Sequence, residues 1–198
     1  MTKLVLASGN AGKLRELSSL LSDFGYQLST QADWRVPEVP ETGTTFVENA
    51  IIKARNAARH TDLAALADDS GIEVNALNGA PGIYSARFAG EQASDDDNNA
   101  LLIEKLAAIP AEQRSAQYRC VIVLIRHAAD PSPVICEGSW EGVIQLTPQG
   151  EGGFGYDPYF YLPAQGCTSA ELTPEAKNRI SHRGQALQQL KTRLSRGL

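Results

Sequence analysis

Cysteine is scarce in this 198-residue chain, where Cys120, Cys136 and Cys167 are all there is. They are too few and wrongly spaced for a zinc ribbon or a disulfide framework, and read as reduced thiols that mostly pack. Positive charge is also in short supply. Lys and Arg number 18 against 23 Asp and Glu, a formal net charge of -5. Such a chain has no general cationic field for non-specific nucleic-acid binding, so no nucleic-acid partner is expected and any basic site must be local. Long hydrophobic runs are missing too. The opening MTKLVLASGN is broken at Gly9 and Asn10, far short of a signal-peptide core, and no later stretch approaches membrane-spanning length. Internal repeats and low-complexity segments are absent. A cytoplasmic protein with no membrane partner is the expectation. What is there is ordinary globular composition, 42% hydrophobic and 21% charged, and enough chain to bury a substantial core. One domain over 1–198, with room for two lobes, is the default.

Hydrophobic periodicity then orders the chain. Lys3 to Ala7 reads as a buried strand running into Ser-Gly-Asn. Leu14, Leu17, Leu21 and Phe24 recur at helical spacing, predicting a helix from near Ala11 to near Gly25. Pro37 and Pro40 mark an irregular connection. Thr45 precedes a second helix through about Arg59, with Val47, Ile51, Ala54 and Ala58 on its apolar face. Leu63 to Ala67 predicts a short buried strand that stops at Asp68-Asp69-Ser70-Gly71, leaving carboxylates at its mouth. Ser94 and the acidic run Asp95–Asp97 predict a helix N-terminus matched to its dipole, with the helix running to about Ile109. Residues 117–126 and 133–146 predict neighbouring antiparallel strands. Residues 150–163 read as a glycine and aromatic loop, and Leu187, Leu190 and Leu194 give a last helix over 185–196. This mixture predicts an α/β or α+β sheet with helices on its faces.

Five segments could carry chemistry. Ser8, Gly9, Asn10, Ala11, Gly12 and Lys13 lie where a strand hands over to a helix, a junction that aims free N–H groups at an anion. This is not a Walker A loop, since Ala7 and Leu14 replace its first glycine and its Ser or Thr. A turn with an exposed lysine is the bland alternative. Asp68 and Asp69 point to opposite faces of a strand, so one of them suits Mg²⁺, with Ser70 and Gly71 turning the chain beside it. An Asx-turn or helix cap is the alternative. Glu41, Glu48, Asn49 and Lys53 form a polar cluster in which Asn49 and Lys53 share a helical face. In Phe154, Gly155, Tyr156 and Asp157 an aromatic ring sits among glycines, open to stacking with a flat group or to plain packing in a turn. Lys177, His182 and Arg183 bring donors for carbonyl or phosphate acceptors into one stretch, unless they are a solvated helix face.

Together these segments resemble the inosine triphosphate pyrophosphatase family, and look closest to its bacterial members. The resemblance runs nearly end to end, through SGNAGK at 8–13, ETGTTFVENAIIKA at 41–54, DDSGIEVNALNGAPGIYSARFAG at 68–90, GGFGYDPYF at 152–160 and AELTPEAKNRISHRGQAL at 170–187. It implies an α/β fold, an elongated mixed β-sheet flanked by helices with two lobes and a central active-site cleft, in a homodimer. It implies hydrolysis of ITP, dITP and XTP to monophosphate and pyrophosphate, with Mg²⁺ as cofactor. Carried over by position, Ser8 to Lys13 and Lys53 hold phosphates. Glu41 and Asp69 bind Mg²⁺, Asp69 is the proposed general base and Asp68 supports it. Ser70 contacts substrate, Phe154 to Asp157 hold the base, and Lys177, His182 and Arg183 read its edge. Ala176 and Pro40 depart from the pattern, standing where the family often has acids. The rival expectations are a pyrophosphatase for pyrimidine or other modified triphosphates, and a nucleotide-sensing protein that binds without cutting. Paired acids near a polyanion argue against the latter unless a metal intervenes.

Overall fold

The computed structural model describes residues 2–8 and 11–197, without the side chains of residues 11–13, 15 and 16. Its strands are β1 (Thr2–Leu6), β2 (Tyr26–Thr30), β3 (Ala64–Val74), β4 (Ser115–Ile125), β5 (Val134–Ile144), β6 (Phe160–Leu162) and β7 (Cys167–Thr168). Its α-helices are α1 (Ala11–Ser22), α2 (Phe46–Thr61), α3 (Asp95–Leu106), α4 (Pro174–Ile180) and α5 (His182–Ser195). The strands make one mixed sheet in the order β2-β1-β3-β4-β5-β6-β7, so the α/β class read from the sequence holds. None of the described helices is long and apolar enough to cross a membrane. The chain groups into two compact units, Met1–Asp69 with Val121–Glu137 and Ala186–Leu198, and Ser70–Cys120 with Gly138–Gln185.

In the first unit β1 pairs in parallel with both β2 and β3, Leu4 lying opposite Leu28 and Ala64. A parallel pair needs a crossover, and α1 supplies it between β1 and β2. Leu4, Val5 and Leu6 are wholly buried, which is why β1 reads as a continuous apolar run without alternation. The α2 helix starts at a capping box: Glu48 N–H donates to Thr45 Oγ1, and the Glu48 carboxylate accepts from Thr45 N–H. It stops at Asp62, a left-handed residue whose N–H returns to Ala58 C=O. Its buried face is Phe46, Asn49, Ala50, Ala54, Ala57 and Ala58. Val47 and Ile51, expected on that face, are only half-buried. The small alanines let α2 lie close against β1 and carry its polar residues along with it.

The main correction falls on β3. The Asp-Asp-Ser-Gly stretch was expected to end the strand in a tight turn, yet β3 runs through it to Val74. The register with β1 covers Ala64 to Leu66, so this stretch runs on past β1, and the sheet as a whole overrides the local turn preference of these residues. Asp68 and Asp69 are therefore held mid-strand, not at a tip.

The second unit is built on Ile72, Val74, Leu102, Leu106, Tyr118, Trp140, Tyr156 and Phe160. Ser94 caps α3 through a second capping box, with Asp97 as the returning carboxylate. The helix ends at Leu106, earlier than expected. The 150–163 loop contains β6, which pairs antiparallel with β5 and β7. The last helix starts at His182, not near Gln185. Two short strands had no sequence signal strong enough to find them: β2, a YQLST segment, and the two-residue β7.

Candidate active site

A polar cluster in the first unit is organised by Lys53, which α2 delivers. Its Nζ lies 2.8 Å from Asp69 Oδ1 and 3.0 Å from Glu41 Oε1. One ammonium thus joins a carboxylate from β3 to one from the loop before α2. Asn49, one turn earlier on the same face, is fully buried and its Oδ1 accepts from Gly43 N–H at 2.9 Å. That bond ties down the loop that carries Glu41. Asp68 is buried beside the cluster, and strand alternation sends it to the opposite face from Asp69.

The charges within this cluster shift one another. Burial pulls the Lys53 pKa down, but the charge of Asp69 and its hydrogen bond, then Glu41, outweigh it and leave the ammonium held above the ordinary lysine range. Asp69 is pushed up, first by burial, and the charges of Glu41 and Asp68 add to that against the relief from Lys53. Lys53 thus bridges two carboxylates, Asp69 and Glu41. Asp69 Oδ2 is moreover buried with no hydrogen-bond partner among the described residues, a costly state for a carboxylate oxygen unless something positive completes it. An all-oxygen donor set of one or two carboxylates, with further ligands from phosphate and water, suits Mg²⁺. Among the described residues no three His, Cys, Asp or Glu side chains gather as a closed metal cage. The fit is therefore to an ion held partly by its substrate.

Of the junction residues, Ser8 is half-buried just after β1. Gly9 and Asn10 lie outside the described residues. Ala11, Gly12 and Lys13 open α1, and their side chains likewise lie outside what is described.

The second unit holds the aromatic loop and the basic residues. Phe154 is 65% exposed, and Lys177 Nζ sits 5.1 Å from its ring centroid, a cation–π distance. Lys177 also pairs with Asp157 Oδ2. The Asp157 carboxylate is buried and further accepts from Phe154 N–H at 2.8 Å, Ser169 Oγ at 2.6 Å and Tyr118 Oη at 3.4 Å. Both of its oxygens are thus used inside this unit, and Asp157 acts beneath the loop as its anchor. Gly153 adopts φ +80, and a Cβ there would lie 2.1 Å from Asp157 Oδ2. That close approach is why glycine stands at this position.

His182 is buried, its ring parallel to Tyr118 at 4.7 Å and 9°, with Trp140 at 6.4 Å. Burial, then the nearby Asp157 charge, pushes the Tyr118 hydroxyl well up, so it stays a neutral donor. Arg183 is half-buried on the first turn of α5, and Ser70 is half-buried on β3. The sequence reading missed Tyr118, Trp140 and Ser169. Nothing local marks them, since they meet Asp157 and His182 only through the fold. Tyr156 Oη, by contrast, donates to Ser85 C=O at 2.8 Å and fills core.

The chain is 59% identical over 190 residues to the dITP/XTP pyrophosphatase of Vibrio cholerae serotype O1, covering 96% of this chain and 95% of that one. It is 57% identical over 197 residues to the dITP/XTP pyrophosphatase of Escherichia coli strain K12, covering both chains in full. Among solved structures it matches a HAM1 protein from Coxiella burnetii at TM-score 0.96 and 52% identity, covering 100% of each chain. The Ham1 family model matches residues 4–193. With a fold and full-length relatives that agree, the chain belongs to the Ham1 family.

Proposed function

We propose that this chain hydrolyses the deaminated purine triphosphates dITP, ITP and XTP to the nucleoside monophosphate and pyrophosphate, with Mg²⁺, as a cytoplasmic homodimer that cleanses the nucleotide pool. The observation that carries the reading is Lys53 bridging Asp69 and Glu41 beside an Asp69 oxygen that is buried with no hydrogen-bond partner among the described residues. The names of the full-length relatives give the substrate class.

In this reading the first group of residues handles the triphosphate and the second the base. Glu41 and Asp69 hold the ion, which when bound supplies charge neutralisation to the triphosphate oxygens. Asp69 orients or deprotonates the water that attacks the α-phosphorus in line. The bridging bond from that phosphorus to the β-phosphate oxygen breaks, and pyrophosphate departs. Lys53 and Lys13, with the N–H groups from Ser8 to Gly12, balance the charge that collects on it. Asp68 supports the Asp69 carboxylate electrostatically, and Ser70 contacts substrate.

Phe154 offers its exposed face for stacking, and Gly155 and Tyr156 carry it. Asp157 is assigned to position Phe154 and Lys177 instead of contacting the base itself. Lys177, His182 and Arg183 supply donors to a 6-oxo purine edge. The 6-amino group of adenine would leave such donors unpaired, at about 1–3 kcal/mol each. The test is pyrophosphate release from dITP, ITP, XTP and ATP with Mg²⁺ and with chelator. Metal-dependent turnover that favours the first three is expected. Equal rates on ATP and ITP would overturn the base assignment, and undiminished turnover in chelator the metal assignment.

A further inference from the structure

The acidic run at the start of α3 does more than its dipole requires. Asp97 closes the capping box, accepting from Ser94 N–H at 2.9 Å and from its hydroxyl at 2.6 Å. Asp95 is not needed for that cap. Its Oδ2 instead accepts from Gly155 N–H at 2.7 Å. One turn on, the buried Asn99 donates from Nδ2 to Gly155 C=O at 2.9 Å. Residues four apart share a helix face, so α3 grips both backbone polar groups of one loop residue.

Gly155 adopts φ +60, with open space where a Cβ would project, so its place is set by the hydrogen bonds of its two peptide groups. The Asp95 bond holds the peptide plane shared with Phe154, and the Asn99 bond holds the one shared with Tyr156. The exposed Phe154 ring has little packing to orient it beyond Lys177, so its place is set by its backbone. On one side that is the Phe154 N–H bond to Asp157, and on the other the α3 clamp.

We propose that Asp95 and Asn99 are positioning residues that hold Phe154 where a purine stacks, and so set base affinity without taking part in the bond cleavage. This rests on the reading that the 154–157 loop meets the base. The experiment compares D95A, N99A, D95N and D96A for KM and kcat on dITP and on a base-free ribose triphosphate. The Asp96 side chain is exposed and makes the same dipole charge one position away, so D96A controls for charge at the helix start. An amide oxygen in D95N still accepts the Gly155 N–H.

D95A and N99A should raise KM for dITP by about tenfold, the usual effect of losing one such bond. Their kcat should stay within about twofold, and their values on the base-free triphosphate should match the wild type. D95N and D96A should remain near the wild type throughout. An unchanged KM for dITP in both alanine variants, or an equal loss on the base-free triphosphate, would overturn the clamp. If D95A unfolds, N99A decides, since it leaves the α3 cap untouched. A wild type that cannot turn over dITP would instead sink the functional reading, and this inference with it.

Discussion

Replacing Asp69 by Asn separates chemistry from architecture at the crowded carboxylate site. The amide keeps an acceptor oxygen for Lys53 Nζ, now 2.8 Å away, and keeps the size of the side chain, but it can neither carry charge nor take a proton. A positioned general base contributes typically ~10²–10⁴-fold, so kcat on dITP should fall by that factor, equivalent to roughly 3–5 kcal/mol on the barrier. Stability should move the other way or not at all. The folded pKa of Asp69 is raised, first by burial and then by Glu41 and Asp68 against Lys53. The folded state therefore holds this proton more tightly than the unfolded chain, and stability declines as pH rises through the window between the two values. Asn escapes that loss and removes the negative charge that Glu41 and Asp68 oppose. For a chain of this size each 1 kcal/mol shifts Tm by about 2–4 °C. Pyrophosphate release at saturating Mg²⁺ and dITP, alongside thermal unfolding at neutral pH, tests both halves. Turnover within tenfold of the wild type would remove Asp69 from the reaction, and lost turnover with a Tm many degrees lower would make it a structural residue.

Two further predictions concern single contacts. The buried Asp130 carboxylate accepts from Arg126 N–H and Nε at 2.9 Å and from Ser132 N–H at 2.9 Å, and these bonds, that from the Arg126 side chain first, hold it far below the usual carboxylate range. A depressed value means stability that is present above the unfolded Asp pKa and lost as pH falls through the folded one. D130A should therefore cost about 1–3 kcal/mol at pH 7, a Tm drop of roughly 5 °C. The gap from the wild type should close only well below about pH 4, the unfolded Asp value, in unfolding scans against pH. G153A would drive a methyl into Asp157 Oδ2 and force φ +80 on an alanine, so KM for dITP should rise several-fold as the anchored loop shifts; an unchanged KM would show that this anchor does not shape the base site.

How much of this was legible depends on whether the cause was local. Thr45 and Ser94 are helix starts legible in the sequence, and each caps its helix in a box that Glu48 or Asp97 closes three residues on. Lys53 and Asn49 were placed on one face by spacing alone, and there they lie, the first on Asp69 and the second on Gly43. Local cues failed where the sheet overrode them. Asp-Asp-Ser-Gly reads locally as a turn, yet β3 continues through it to Val74 within the sheet.

The backbone of the two aspartates is in consequence fixed more rigidly than a loop would fix it. Glu41 reaches the same place from the loop before α2 through Lys53, and its charge and that of Asp68 oppose the Asp69 charge from there. The same logic explains what spacing could not reveal in the second unit. Asp157 looked like a group facing the base, but its partners Tyr118 and Ser169 come from distant strands and turns, and only their convergence turns it inward. Asp95 looked like one of three equivalent acids. What distinguishes it from Asp96 and Asp97 is a glycine sixty residues further along, and periodicity within one helix carries no information about that.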